Sequence, residues 1–459
     1  MYQELCGFHR ARRRHLGCPG IVLALGLKSG ILERANEGGL EGAATGRLSC
    51  LSSSRFEPSP QLECWCGAPH LKGVSVTEDT QATTLYFGPW YRKSPFFEAT
   101  LRHGCKAFDI YNHMYLPAYF DDPITEYWHL LNQVTLWDVA VERVIEIIGP
   151  DAFEFTNMLT PRDLTTCDVG QGKYVLITAE DGGIINDPVL LRRDENRFWL
   201  CLADSDAGLW ARGLAFNSGM NVDVREPDVY PLQVQGKKAK EVMRDLVGDA
   251  VLDIKYYWTM DAEIDGISVV LSRTGWTGEV GYEVFLLDPT RGDDLWEIIM
   301  DAGRPHDIRP IAPCEARRIE AGIFNYNSDM TIENNPFEIT GLERLVEEQE
   351  SDYIGKDALM RVKNEGVKRK LVGIEVAGDP LSFEIAEFRP ALHDGRRVGH
   401  VTDLIWSPRL EKNIGYVWVP IDLAEGGIPL EIEGPQGDWV PSKTAAIPFI
   451  DPKKRIPAA

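Results

Sequence analysis

Four short segments carry residue types whose spacing suits chemistry. In Gly182–Pro188 the order GGIINDP sets a carboxylate, Asp187, between a Gly-Gly turn and a strand that starts at Pro188. A partly desolvated carboxylate there can orient an amine or act as acid or base; on spacing alone it equally reads as a turn-capping Asp. Ser272–Glu283 reads SRTGWTGEVGYE, a compact glycine loop between strands. It lacks the Lys-Ser/Thr and the helix opening of a phosphate cradle. An aromatic, Trp276, followed by a carboxylate suits a heteroaromatic ring bearing N–H donors, such as a pterin or purine; the plainer reading is a hairpin with a packed Trp. Glu315–Gly322 reads EARRIEAG, so Arg317 and Arg318 point to different faces of a helix. One can pair with acids while the other serves a ligand carboxylate, or both make helix salt bridges. Tyr111–Pro117, YNHMYLP, sets His113 among aromatics, as a base or as a satisfied structural histidine. The chain has no HExxH, no GxSxG, no Walker motif, and no GxGxxG between strand and helix.

The elements that must position these segments follow from periodicity and punctuation. Tyr127–Gln133 reads as a helix leading into a strand at Val134–Ala140, and Val144–Ile148 as a second strand ended by Gly149-Pro150-Asp151. Asp151–Leu159, Asp206–Asn217, Lys237–Val247, Asp293–Ala302 and Pro313–Phe324 read as helices. Lys173–Thr178, Pro188–Arg193 and Phe198–Ala203 read as strands, the first two joined through the turn Asp181-Gly182-Gly183. Ile267–Arg273 and Tyr282–Leu287 flank the glycine loop. After the charged stretch Glu343–Asp352 the last hundred residues are strand-rich with Gly and Pro turns. The expected fold is α+β: a mixed core followed by a C-terminal β-barrel. The expected division is an extension over 1–83, a core over 84–345, a connecting segment over 346–366, and the barrel over 367–459.

Composition limits the partners. The 459 residues carry a net charge of −22, which argues against a nucleic-acid or anionic-membrane surface. Residues 1–83 hold nine Lys/Arg and eight Asp/Glu, whereas residues 84–459 hold 39 and 62. Five of nine cysteines also fall in that first stretch. It is rich in Gly, Ser, Arg and Cys and shows no sustained period. Arg12-Arg13-Arg14 and Gly20–Leu27 faintly resemble a signal peptide without its cleavage site, and an organelle targeting segment also fits. Ile21–Leu27 is too short to span a bilayer. Cys105, Cys167, Cys201 and Cys314 have no metal spacing and read as thiols of a reducing compartment. The expected localisation is cytoplasmic, with organelle targeting by residues 1–83 left open, and no metal is expected.

In this order the segments resemble the folate-binding aminomethyltransferase family, the glycine cleavage T-protein and its relatives. GGIIND resembles the family's GG-hydrophobic-hydrophobic-DD segment. Arg273–Glu283 resembles its RTGYTGE-x-GxE loop, and Arg318–Gly322 its RLEAG helix. NPFE at Asn335–Glu338, YIGKDAL at Tyr353–Leu359 and SPRLEKNIG at Ser407–Gly415 resemble further family segments. YNHMYLP and the LWDVAVER of Leu136–Arg143 lie nearer the dimethylsulfoniopropionate demethylase branch. The TGEV of Thr277–Val280 is T-protein-like where that branch reads SKQG. The resemblance implies a cloverleaf of α+β folate-binding domains with a C-terminal barrel, and Asp187 as the catalytic carboxylate. It implies Tyr174, Trp276, Glu283 and Arg318 at the tetrahydrofolate site, and Tyr111, His113 and Trp137 toward the donor. Tetrahydrofolate as co-substrate and a small methyl donor are the implied partners, with no nucleic acid and no membrane; a homodimer is compatible. The implied reaction moves a methyl group from a small onium donor to tetrahydrofolate. The alternatives are an aminomethyltransferase served by a lipoyl carrier protein, or an O-demethylase of methoxyaromatics.

Overall fold

The computed structural model describes residues 88–381, 388–434 and 437–459. The expectations for residues 1–83 lie outside this range. Two antiparallel layers carry the core. The first has six strands in the order Thr259–Ile264, Ile267–Ser272, Gly281–Leu286, Tyr230–Gln235, Val134–Asp138 and Ile308–Pro310, the last pair being parallel. The second has five: Asp223–Arg225, Val144–Ile148, Arg197–Cys201, Val189–Asp194 and Gly172–Tyr174. Leu191, Trp199, Val270 and Phe285 are buried where the two sheets meet. Residues opposite one another in an antiparallel ladder share a face. Glu283 stands opposite Gln233 on one side and Ser272 on the other, and Gln233 stands opposite Trp137. That row of four residues therefore presents one chemistry-bearing line across the first sheet.

The strand expected over Lys173–Thr178 is two strands. Gly172–Tyr174 pairs with Val189–Leu191, and Ile177–Thr178 pairs with Ile184–Asn186 around the Gly182 turn. The interruption falls at Asp187-Pro188, because proline has no N–H to give to a ladder. Asp187 is thus left between two paired segments, with its side chain free to leave the sheet. The helix expected over Pro313–Phe324 is only Glu315–Glu320. Gly322, at φ +65°, ends it, and a Cβ there would come within 3.0 Å of Pro448.

The hairpin Ala107–Tyr111 and Met114–Tyr119 turns at Asn112 and His113, both left-handed at φ 51° and 62°. Such a turn suits Asn, whose side chain satisfies nearby backbone. The buried Asn112 amide donates to the carbonyls of Val141 (3.0 Å) and Ala203 (3.1 Å), which pins the hairpin tip to the core and fixes Tyr111 beside it.

A closed six-stranded barrel follows, from Arg369–Val376 to Trp439–Ala445. The connecting stretch over 346–366 contains the helix Lys356–Glu365. Residues beyond Ala445 leave the barrel strands and return to the core: Ile450 N–H donates to the Glu320 carbonyl at 2.9 Å. Arg273 of the glycine loop donates to the carbonyl of Pro457 at 3.1 Å. No helix among the described residues is long and apolar enough to cross a membrane. The described packing starts at Gly88, whose carbonyl accepts from the Tyr115 hydroxyl at 3.2 Å. A chain beginning at Thr84 retains this contact and every strand above, and it is expected to stay soluble and to bind tetrahydrofolate. Loss of soluble protein on that truncation would show that residues 1–83 are needed.

Candidate active site

A cavity of about 380 Å³ opens between the two sheets, the Gly322 turn and the returning C-terminal segment. Tyr111, Tyr174, Asp187, Trp276 and Glu283 all line it, so five residues from four separate segments converge. Asp187 is the most unusual of them. Its Oδ2 accepts from the Tyr174 hydroxyl at 2.8 Å, while its Oδ1 is buried without a partner. Burial raises its pKa to about 7, against the pull of the Tyr174 hydrogen bond. The preceding residue is tied down: the Asn186 amide donates to the Ala203 carbonyl at 2.9 Å and to Ser205 Oγ at 2.7 Å. An acceptor oxygen held at a fixed place in a desolvated cavity, with no donor of its own, is arranged to meet a donor or a cation on a ligand.

The other end of the cavity is built by the row across the first sheet. Glu283 Oε1 accepts from Gln233 Nε2 at 2.9 Å and Oε2 from Thr274 Oγ1 at 2.5 Å. Burial raises its pKa, and these two hydrogen bonds oppose the rise. Trp276 stands beside it at the start of the turn. Gly278, at φ +65°, makes that turn possible, and its bare Cα faces Ala321, whose Cβ would lie 2.7 Å from an added methyl. Arg317 locks the turn from below, with Nε donating to Glu279 at 2.7 Å and Nη2 to the Gly278 carbonyl at 3.1 Å.

Three of the expected site residues stand elsewhere. Arg318 is wholly buried and spends its guanidinium on Glu315 (2.5 Å), Asp329 (3.0 Å), Asp403 and the Ile323 carbonyl (3.2 Å), so all three of its nitrogens are engaged within the protein. It touches two residues that line the cavity, Trp276, whose ring lies 5.4 Å from its guanidinium carbon, and Ile323, whose carbonyl accepts from its Nη1. Both adjacent arginines are consumed by ion pairs because the helix carrying them is buried on both sides. Trp137 lies in the row with Gln233 but is fully covered by Tyr127, Leu130, Ile311 and Ala316, and its indole N–H goes to Thr135 Oγ1 at 2.7 Å. His113 sits at the exposed hairpin tip and lines a separate hollow with Arg143, Asp206 and Glu226. The left-handed turn sends Tyr111 into the cavity and His113 away from it.

Several cavity residues lay outside the sequence reading. Tyr256 and Tyr257 contribute a T-shaped ring pair at 4.7 Å, and Tyr257 holds a left-handed φ of 64°. Glu142 and Cys201 line the same cavity as Glu283, and Lys454 enters from the C-terminal segment. Burial and the nearby Arg317 and Arg344 lower the Lys454 ammonium to about 8. The positive φ of a bulky tyrosine has no single-sequence signal. Among the described residues no group of three or more His, Cys, Asp or Glu is placed to hold a metal ion.

Comparison with known proteins follows the same lines. Residues 96–350 match the GCVT N-terminal domain and residues 369–451 the glycine cleavage T-protein C-terminal barrel domain. The dimethylsulfoniopropionate demethylase of Ruegeria pomeroyi is 35% identical over 346 residues, covering 75% of this chain and 94% of that protein. An aminomethyltransferase of Caldanaerobacter subterraneus subsp. tengcongensis is 29% identical over 347 residues, covering 74% of this chain and 91% of that protein. The solved glycine cleavage system aminomethyltransferase T of Bartonella henselae has the same fold, with a TM-score of 0.71 at 23% identity over 78% of this chain and 98% of that one.

Proposed function

The chain belongs to the glycine cleavage T-protein family of tetrahydrofolate-dependent one-carbon transferases, and from that membership we propose that it moves a methyl group from a small onium donor to N5 of tetrahydrofolate. The observation that carries the reading is the unpartnered buried oxygen of Asp187 among aromatic faces. Tyr111 and Tyr174 offer π-faces to a cation, and Asp187 offers a fixed counter-charge. A sulfonium donor releases a neutral thioether, which needs no acid: the N5–carbon bond forms as the sulfur–carbon bond breaks, and N5 then sheds its proton to solvent, so these residues work by aligning N5 with the methyl carbon and by favouring positive charge at the transfer point. Trp276 provides a stacking surface and Glu283 an acceptor for ring N–H groups, which fixes the orientation of the pterin. The similarity to the demethylase of Ruegeria pomeroyi supports this donor class.

One observation favours the aminomethyltransferase alternative. A carboxyl group that titrates near 7 can deliver a proton to a leaving amine at neutral pH, a task a sulfonium donor does not set. The deciding experiment is a donor screen with tetrahydrofolate, following 5-methyltetrahydrofolate for methyl donors and 5,10-methylenetetrahydrofolate for the aminomethyl donor. Turnover of dimethylsulfoniopropionate or another methylated onium compound supports the proposal. Turnover of an aminomethylated lipoyl carrier alone, or of a methoxyaromatic alone, overturns it.

The orientation role of Glu283 makes its own prediction. Glu283→Gln removes a charged acceptor and is expected to weaken tetrahydrofolate binding by about 1.5–3 kcal/mol, the range of a charge-assisted hydrogen bond, with little change in thermal stability. Calorimetric titration with unchanged affinity would make Glu283 a structural residue of its hairpin.

A further inference from the structure

The mechanism above leaves one carboxylate of the cavity without a task. Glu142 follows the strand Val134–Asp138 and lines the end of the cavity that Glu283 occupies. Its chain neighbour Arg143 gives it no counter-charge, because that guanidinium is paired with Glu226 at 2.6 Å. Gln233 Nε2 lies 3.4 Å from Glu142 Oε1 and donates to Glu283 Oε1 at 2.9 Å, so one amide group bridges the half-buried Glu142 and the buried Glu283. Among the described residues no lysine, arginine or histidine forms an ion pair with either. With no counter-charge between them, the charge of one raises the pKa of the other. Glu283 receives the two short hydrogen bonds, from Gln233 and Thr274, which favour its charged form. Glu142, with only the longer contact to the shared amide, is the member of the pair favoured in the neutral form.

We propose that Glu142 is a further ligand-binding residue: a neutral carboxylic acid whose O–H donates to an acceptor atom on the same ring edge whose N–H groups meet Glu283. The assignment rests on the folate reading of the cavity. A pterin edge presents N–H donors next to a carbonyl oxygen. One carboxylate and one carboxylic acid complement that edge, whereas two carboxylates would face the oxygen with charge. Burial supports the protonated state: desolvation and then the charge of Glu283 hold Glu142 well above the ordinary carboxyl range. The other titratable groups facing the pair are Cys201 and the phenols of Tyr111, Tyr256 and Tyr257; all are raised, so they stay neutral. Asp187, across the cavity, is ionised above about 7.

The test is calorimetric titration of the full chain with tetrahydrofolate, using Glu142→Gln and Glu142→Val. The Gln variant keeps a neutral donor and is expected to bind within about threefold of wild type at pH 7.5. The Val variant loses the donor and is expected to bind about tenfold more weakly at the same melting temperature. Raising the pH until Glu142 ionises weakens wild-type binding by up to about tenfold per pH unit, a fall the Gln variant does not show. Wild-type affinity in the Val variant, or a wild-type pH slope in the Gln variant, overturns the Glu142 assignment alone. Wild-type protein that binds no tetrahydrofolate overturns the folate reading, and the assignment with it.

Discussion

Asp187→Asn is expected to lower kcat/KM by about 10²-fold with a sulfonium donor, the scale of one electrostatic contact at a reacting centre. The amide keeps the size and can still meet the Tyr174 hydroxyl, so the loss isolates the charge. With an amine donor the same change also removes the proton delivered to the leaving nitrogen, and a further factor of about 10²–10⁴ is expected. Measuring both donors side by side therefore reads the donor class as well as the residue. The pH dependence follows from the position of the group. If the sulfonium route needs the carboxylate, kcat/KM of the wild type rises with pH through about 7 and then levels, and the Asn variant loses that limb. The stability effect has the opposite sign. Burial raises the folded pKa from 3.8 to about 7, so the neutral form favours the fold below about 4 and that contribution is lost as pH rises to about 7. Asp187→Asn is thus expected to melt higher than wild type at pH 8, with the gain vanishing near pH 4. Full activity of the variant on every donor the wild type uses would refute a catalytic role.

Much of this arrangement is legible in the chain itself, and the failures share a cause. Pattern places a carboxylate at a strand entrance and an aromatic with a carboxylate on a glycine loop, and Asp187, Trp276 and Glu283 do line one cavity. The strand Val144–Ile148 lies where periodicity put it. Pattern does not show which side of an element is covered. Trp137 shares a row with the site residues, yet helices Pro123–Asn132 and Glu315–Glu320 lie over it. His113 is next but one to Tyr111, yet two left-handed residues point them apart. Long-range returns are equally silent: nothing near Lys454 announces that a segment beyond the barrel re-enters the core to line the cavity. Glu142 is visible only as one acid among many until the ladder sets Gln233 between it and Glu283.

Arg318 offers the sharpest contrast between a ligand contact and a structural one. Its guanidinium pairs with the buried Asp329 and with Asp403 and Glu315, which are largely covered. Even with the arginine present, burial holds Asp329 up at about 6. Arg318→Met fills the volume but leaves buried carboxylates facing one another, and a loss of about 3–5 kcal/mol is expected, the cost of breaking a buried ion pair from one side. The sign of its pH dependence is fixed by the acids left behind. They can be neutralised only by taking up protons, so the variant is expected to lie closest to wild type near pH 5 and furthest from it at pH 8, as read by thermal melts across that range. Folded Arg318→Met at pH 5.5 is expected to bind tetrahydrofolate within about threefold of wild type, because no guanidinium N–H reaches the cavity. A variant that stays folded there but binds tenfold or more weakly would instead restore Arg318 to the ligand, as its place in the family motif implies.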